Sequence, residues 1–148
     1  MDKEIKFRGI RRDNNEWIVG HLVYGTSQSF IIPIGNIMMG AKLGVDSINS
    51  VCHNVKPETV GQFTGLKDKN DVYIYEGDIC QFTYDDIIKK LVVVWADYLM
   101  MWKFTESLDG PLYRSSRTIT NSETLKVIGN IHQDSHLLLD NPELLESK

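Results

Sequence analysis

Apolar and polar side chains alternate with a period of two along most of this chain, and glycine repeatedly interrupts the alternation. Successive residues of an extended strand point to opposite faces, so the pattern gives each segment one buried and one wet face. Ile5, Phe7 and Gly9 alternate with Glu4, Lys6 and Arg8. The polar tract Arg12-Asp13-Asn14-Asn15-Glu16 separates them from Trp17-Ile18-Val19-Gly20-His21-Leu22-Val23-Tyr24, which is rich in β-branched and aromatic residues and is followed by Gly25. Together they predict a hairpin.

The same signals recur downstream. Phe30-Ile31-Ile32-Pro33-Ile34 predicts a strand that is short or at an edge, because Pro33 cannot donate to a ladder. Gly35 to Gly44, with Met38-Met39, reads as a mobile loop, and Ser47 to Val55 as another short strand. Further strands are expected at Thr59–Thr64, Val72–Tyr75, Asp78–Tyr84, Met101–Thr105 and Leu125–Gly129. Leu91-Val92-Val93-Val94-Trp95-Ala96 is apolar without a break, which predicts a strand covered on both faces. The best helix signal is at the end, where Asn141 is placed to cap and Pro142 to open a short helix through Glu146. The expected class is all-β: small curved sheets or an SH3-like barrel, with a short C-terminal helix.

A length of 148 residues fits one domain, 1–148, or two small intertwined barrels. A sub-division into an N-terminal β part (1–57), an SH3-like β part (58–136) and a tail (137–148) is compatible with the pattern. The formal charge is −4, from 16 Lys plus Arg against 20 Asp plus Glu. Phosphate-neutralising binders usually carry a basic stripe. Here the pairs Arg11-Arg12, Lys89-Lys90 and Arg114 with Arg117 are scattered, and Asp13 and Asp85-Asp86 lie beside two of them. Nucleic acid is therefore the second reading. The start, Met1-Asp2-Lys3-Glu4-Ile5-Lys6, is charged where a signal sequence would be apolar, and no run of about 18 apolar residues spans a membrane. The expected setting is the cytoplasm, with Cys52 and Cys80 reduced.

Candidate chemistry is sparse. His132 and His136 stand four apart, the spacing of two ligands on one helical face, yet only Asp134 is nearby to complete a zinc set. His21 and His53 are isolated from them. Cys52-His53 invites a nucleophile–base reading, but adjacent strand residues face opposite ways. Cys80 falls in an alternating strand and reads as a packed thiol. Glu76 and Asp78 could share one strand face as paired carboxylates, but Gly77 between them marks a turn where Asp bonds to backbone amides. The expected role is structural. Gly35, Gly40 and Gly44 are too widely spaced for a phosphate loop. Tyr73 and Tyr75 share a face if extended, offering a docking or stacking surface, but core packing is the favoured reading for these and the other strand aromatics. No catalytic, cofactor-binding or metal residue is assigned.

The stretch Glu58 to Ile79, Glu-Thr-Val-Gly-Gln-Phe-Thr-Gly-Leu-Lys-Asp-Lys-Asn-Asp-Val-Tyr-Ile-Tyr-Glu-Gly-Asp-Ile, resembles the signature of the YopX-like family. Glu4-Ile5-Lys6-Phe7-Arg8 is similar to the family's opening strand, Val127-Ile128-Gly129-Asn130-Ile131 to its closing one, and Asn141-Pro142-Glu143-Leu144-Leu145 to its tail. The resemblance implies a small, mainly β protein of bacteriophages and prophages, with no established reaction, ligand or catalytic residue to carry over. One departure is Asn70-Asp71, where the family usually has Asn-Gly; Asp tolerates a positive φ less well than Gly. Physically the motif reads as architecture, with Gly61, Gly65 and Gly77 at expected bends or bulges. The expected function is non-enzymatic: an accessory protein that binds a host or phage protein. A homo-oligomer is expected too, docked through Leu137-Leu138-Leu139 with Leu144 and Leu145.

Overall fold

A computed structural model of the chain describes residues 4–35, 51–84, 87–106, 116–117 and 124–138. The described chain is mainly β and divides into two compact units, Met1–Phe63 and Thr64–Lys148.

The first unit contains β1 (Phe7–Ile10), β2 (Trp17–Tyr24), β3 (Ser29–Pro33), β4 (His53–Val55) and the beginning of β5 (Gly61–Lys67). The expected hairpin is present: β1 and β2 pair antiparallel from Phe7↔Gly20 to Ile10↔Trp17. Its polar tract turns with Asn15 at φ 59°, a left-handed conformation that asparagine accepts more readily than most residues. β3 pairs with both β2 and β4, so it is interior, and it stops at Pro33 where the ladder loses its donor. Of the expected strand Ser47 to Val55, the structure shows His53–Val55, and residues 47–50 lie outside the described ones.

Ile10, Ile31, Val55 and Phe63 are the buried apolar residues of this unit. Two glycines let the backbone close around them. A Cβ on Gly9 would stand 3.1 Å from Val55 Cβ, and one on Gly20 only 1.9 Å from the Ile32 carbonyl oxygen. Thr59, in a 3-10 turn at Pro57–Thr59, completes the packing with its hydroxyl, which accepts from the Ile10 N–H at 2.9 Å and donates to the Lys56 carbonyl at 2.7 Å.

The second unit contains the end of β5, β6 (Tyr73–Tyr75), β7 (Asp78–Tyr84), β8 (Ile87–Ala96), β9 (Met101–Thr105), β10 (Ser116–Arg117) and β11 (Leu125–Asn130). The last five make an antiparallel sheet in the order β10-β9-β8-β7-β11. The unbroken apolar run behaves as its composition requires. Leu91, Val92 and Val93 are all fully buried. Leu91 and Val93 join Ile74, Cys80, Phe104 and Leu125 in one cluster, and Val92 joins Ile79 and Leu138 in another. Alternate residues of β8 therefore serve two cores, one on each face of the sheet.

One expectation needs correction. The SH3-like barrel is replaced by open sheets: one ends at β4 and β6, the other at β10 and β11. β4, β6 and β10 hold only three, three and two residues, too few for the continuous ladder that closure needs. β4 comes nearest, through a single bridge between Val55 and Arg11. The helix expected from Asn141 lies outside the described residues, and the C-terminal stretch that is described ends in a 3-10 turn, Ser135–Leu138.

Candidate functional site

Within the Glu58–Ile79 segment, the side chains of Thr64, Asp68 and Asp78 bond to the backbone. Asp68, only 6% exposed, accepts the N–H groups of Asn70 at 2.7 Å and Val72 at 3.0 Å on Oδ1, and that of Val127 at 2.8 Å on Oδ2. One carboxylate thus closes the turn between β5 and β6 and pins it to β11. A further bond runs from the Lys69 N–H to the Leu125 carbonyl at 3.0 Å. Asp78, 1% exposed, accepts the Tyr75 N–H at 2.8 Å across Gly77, whose φ of +81° makes the tight turn. The Thr64 hydroxyl donates to the Ile74 carbonyl and accepts from the Leu66 N–H.

The structural role expected of Asp78 is thus the one observed. Gly65 also has a positive φ, +88°, whereas Gly61 sits in β5 without one. The turn at Asn70-Asp71 takes the geometry that its Gly-less sequence made questionable: Asp71 adopts φ 65°, with its side chain on Lys67 Nζ at 2.8 Å.

The other sequence candidates do not assemble. Cys80 is fully buried in the first cluster of the second unit, while Cys52 is half-buried just before β4. His132 and His136 are exposed, and Asp134 is engaged with Asn130, whose N–H it accepts at 3.0 Å. Among the described residues no group of three or more His, Cys, Asp or Glu is close enough to hold a metal ion. Tyr75 is core, 6% exposed, but Tyr73 is 41% exposed under the Lys67 ammonium, so the pair divides between the two readings. Asp85, Asp86 and Arg114 lie outside the described residues.

Arg11, Lys89 and Lys90 of the basic pairs are taken up locally. Arg11 forks onto Asp13, and their hydrogen bond, with their mutual attraction, holds the Asp13 carboxyl below the usual carboxylate range and raises the Arg11 guanidinium above its own. Lys89 bonds both carboxylate oxygens of Glu106, at 2.7 and 2.9 Å. Lys90 donates to the Leu137 carbonyl at 2.7 Å. Leu138 is 2% exposed and the partly buried Leu137 packs beside it, so both leucines contact their own chain. Leu139, Leu144 and Leu145 lie outside the described residues.

What the sequence reading missed is the connection between β8 and β9. Tyr98 is 56% exposed, Leu99 40% and Met100 76%, and Trp95 at the end of β8 is 38% exposed. Trp95 and Trp102 stand opposite each other in the ladder, edge to face with ring centroids 5.0 Å apart. Met100, at φ 54°, turns the chain after the 3-10 turn Asp97–Leu99. The signal was present: Tyr98-Leu99-Met100 occupies a connection where polar turn formers are the rule, with Asp97 the one polar residue between Trp95 and Trp102.

The YopX protein family model matches residues 6–139. No curated protein matches the chain. Among solved structures, the crystal structure of protein EF1440 from Enterococcus faecalis is similar, with a TM-score of 0.52 and 23% identity over 93% of this chain and 99% of that one. That likeness concerns the fold alone. With the family model spanning both units, the chain belongs to the YopX family.

Proposed function

We propose that this chain is a non-enzymatic phage or prophage accessory protein that acts in the bacterial cytoplasm by binding a host or phage protein through the tip of the β8–β9 hairpin. The observation that carries the reading is the run Tyr98-Leu99-Met100, presented to solvent beside Trp95. Aromatic residues and methionine are enriched in protein interfaces, and truncating interface Trp or Tyr often costs the most affinity. Meanwhile the buried polar groups of the signature, Asp68, Asp78 and Thr59, bond to main chain. The setting is compatible with the described residues, in which no helix is long and apolar enough to cross a membrane.

Homo-oligomerisation belongs to the same proposal, with Leu138 already buried within its own chain. The nucleic-acid reading has less to draw on, because Lys89 and Lys90 both bond within their own unit. The test is a cross-linking capture from host lysate, comparing the intact chain with a Tyr98→Ser/Met100→Ser double variant of equal thermal stability. A captured protein lost on the substitution supports the reading. Equal capture by both, or capture of nucleic acid that disappears as salt rises, overturns it.

A further inference from the structure

Among the described residues, the second core of the C-terminal unit is closed by a short stretch of chain. On one face of the sheet Ile79 of β7 pairs with Val92 of β8, and Val94, Ile128 and Ile131 extend the same apolar surface. Leu137 and Leu138 cover it, from a 3-10 turn of four residues. Among the described residues, a side-chain bond fastens that turn to the sheet, from Lys90 Nζ to the Leu137 carbonyl at 2.7 Å. Its link to the preceding chain is also slight, a backbone bond from the Leu137 N–H to the Asp134 carbonyl at 2.8 Å.

The turn before it is built differently. Asn130, 7% exposed, takes the N–H groups of His132 and Gln133 on Oδ1, and its own N–H and amide group donate to Asp134. Gly129 allows this, since a Cβ there would lie 2.7 Å from Asp134 Cβ. Among the described residues, side-chain bonds to main chain gather in the turn up to Asp134 and are fewer after it, which singles out the Asp134–Ser135 junction as the candidate hinge.

We propose that Ser135–Leu138 is a strap that opens separately from the sheet, and that the surface beneath it is a second docking seat for a partner segment carrying two adjacent leucines. The occupant's chemistry is read from the occupant in place: two leucine side chains for the Ile79, Val92 and Val94 surface, and a main-chain carbonyl for Lys90. A tethered segment competes at an effective concentration that reaches the millimolar range for short linkers, so the closed strap masks the seat until it is displaced. This seat is separate from the β8–β9 tip, and either stands if the other fails.

The probe is a fluorescent peptide of this chain's own residues 134–140, Asp-Ser-His-Leu-Leu-Leu-Asp, titrated into the intact protein and into the full-length Leu137→Ala/Leu138→Ala variant. With the built-in competitor weakened, the variant is expected to bind at least about tenfold more tightly. Equal affinity for both proteins, or no binding by a variant that keeps its sheet by circular dichroism, overturns the proposal. Should the variant not fold, hydrogen exchange of the intact chain decides. The Leu137 amide is expected to exchange at least about tenfold faster than the amides of Ile79 and Val92, as separately opening units do. Protection equal to theirs would mean that strap and sheet open together, and the seat would not exist.

Discussion

The two units of this chain are both antiparallel and both small, but they close their cores by different means. Among the described residues the first has few buried apolar side chains, Ile10, Ile31, Val55 and Phe63, with Lys6, Ser29 and Thr59 buried among its strands. It brings main chains close instead, at Gly9 and Gly20, and fills with Thr59 hydrogen bonds what it lacks in apolar volume. The second has a strand buried on both faces and two apolar clusters, and it uses carboxylates to fasten its turns. Close backbone approach tolerates no added atom, whereas an apolar cluster tolerates a change of shape better than a loss of volume. The two units should therefore fail under opposite kinds of substitution.

The largest expected effect is in the second unit. Phe104→Ala empties the centre of its first cluster and should cost about 3–5 kcal/mol in urea unfolding, whereas Phe104→Leu should cost much less. In the first unit the order reverses: adding one methyl in Gly20→Ala places a carbon against the Ile32 carbonyl and should cost about 3 kcal/mol or more. A mild Gly20→Ala would break the contrast between the units.

Asp68→Ala comes next, leaving the amides of Asn70, Val72 and Val127 without their acceptor, at about 2–4 kcal/mol. Asp71→Gly should act the other way, stabilising by about 0.5–1 kcal/mol in thermal unfolding, because glycine accepts φ 65° without strain and the exposed Lys67–Asp71 pair contributes little.

The smallest effect is electrostatic. The Asp13 carboxyl is held below its usual range when folded, so its contribution is present above the ordinary carboxylate pKa. It is lost as pH falls through the lowered value. Asp13 is exposed and Arg11 half-buried at the surface, so an acid titration of stability should show a slight effect that salt removes and that Asp13→Asn abolishes.

Much of this was legible in the residues. The β1–β2 hairpin, the doubly covered β8 and the turn at Gly77 follow from alternation, an unbroken apolar run and one glycine, all local signals. Closure was not legible, since it depends on whether short end strands find partners far along the chain, and β4 manages one bridge. β8 also begins earlier than its apolar run, at Ile87, because Lys89 and Lys90 stay in the ladder by bonding Glu106 and the Leu137 carbonyl. Leu137 and Leu138 looked like an intermolecular surface because nothing local shows that a chain will fold back on itself. The β8–β9 tip left a fainter mark: Tyr98 reads as a packing aromatic by type, and the apolar run Tyr98-Leu99-Met100 in a connection is the one local sign of its exposure.

The account stands or falls on whether the carboxylates of the family signature hold main chain. Amide exchange followed by NMR at Val72, Tyr75 and Val127, the donors to Asp68 and Asp78, tests this directly. Protection comparable to the strand amides of β7 is the predicted result. Exchange at the rate of open loops would show these acids turned to solvent, available for chemistry that the architecture assigned to them leaves no room for.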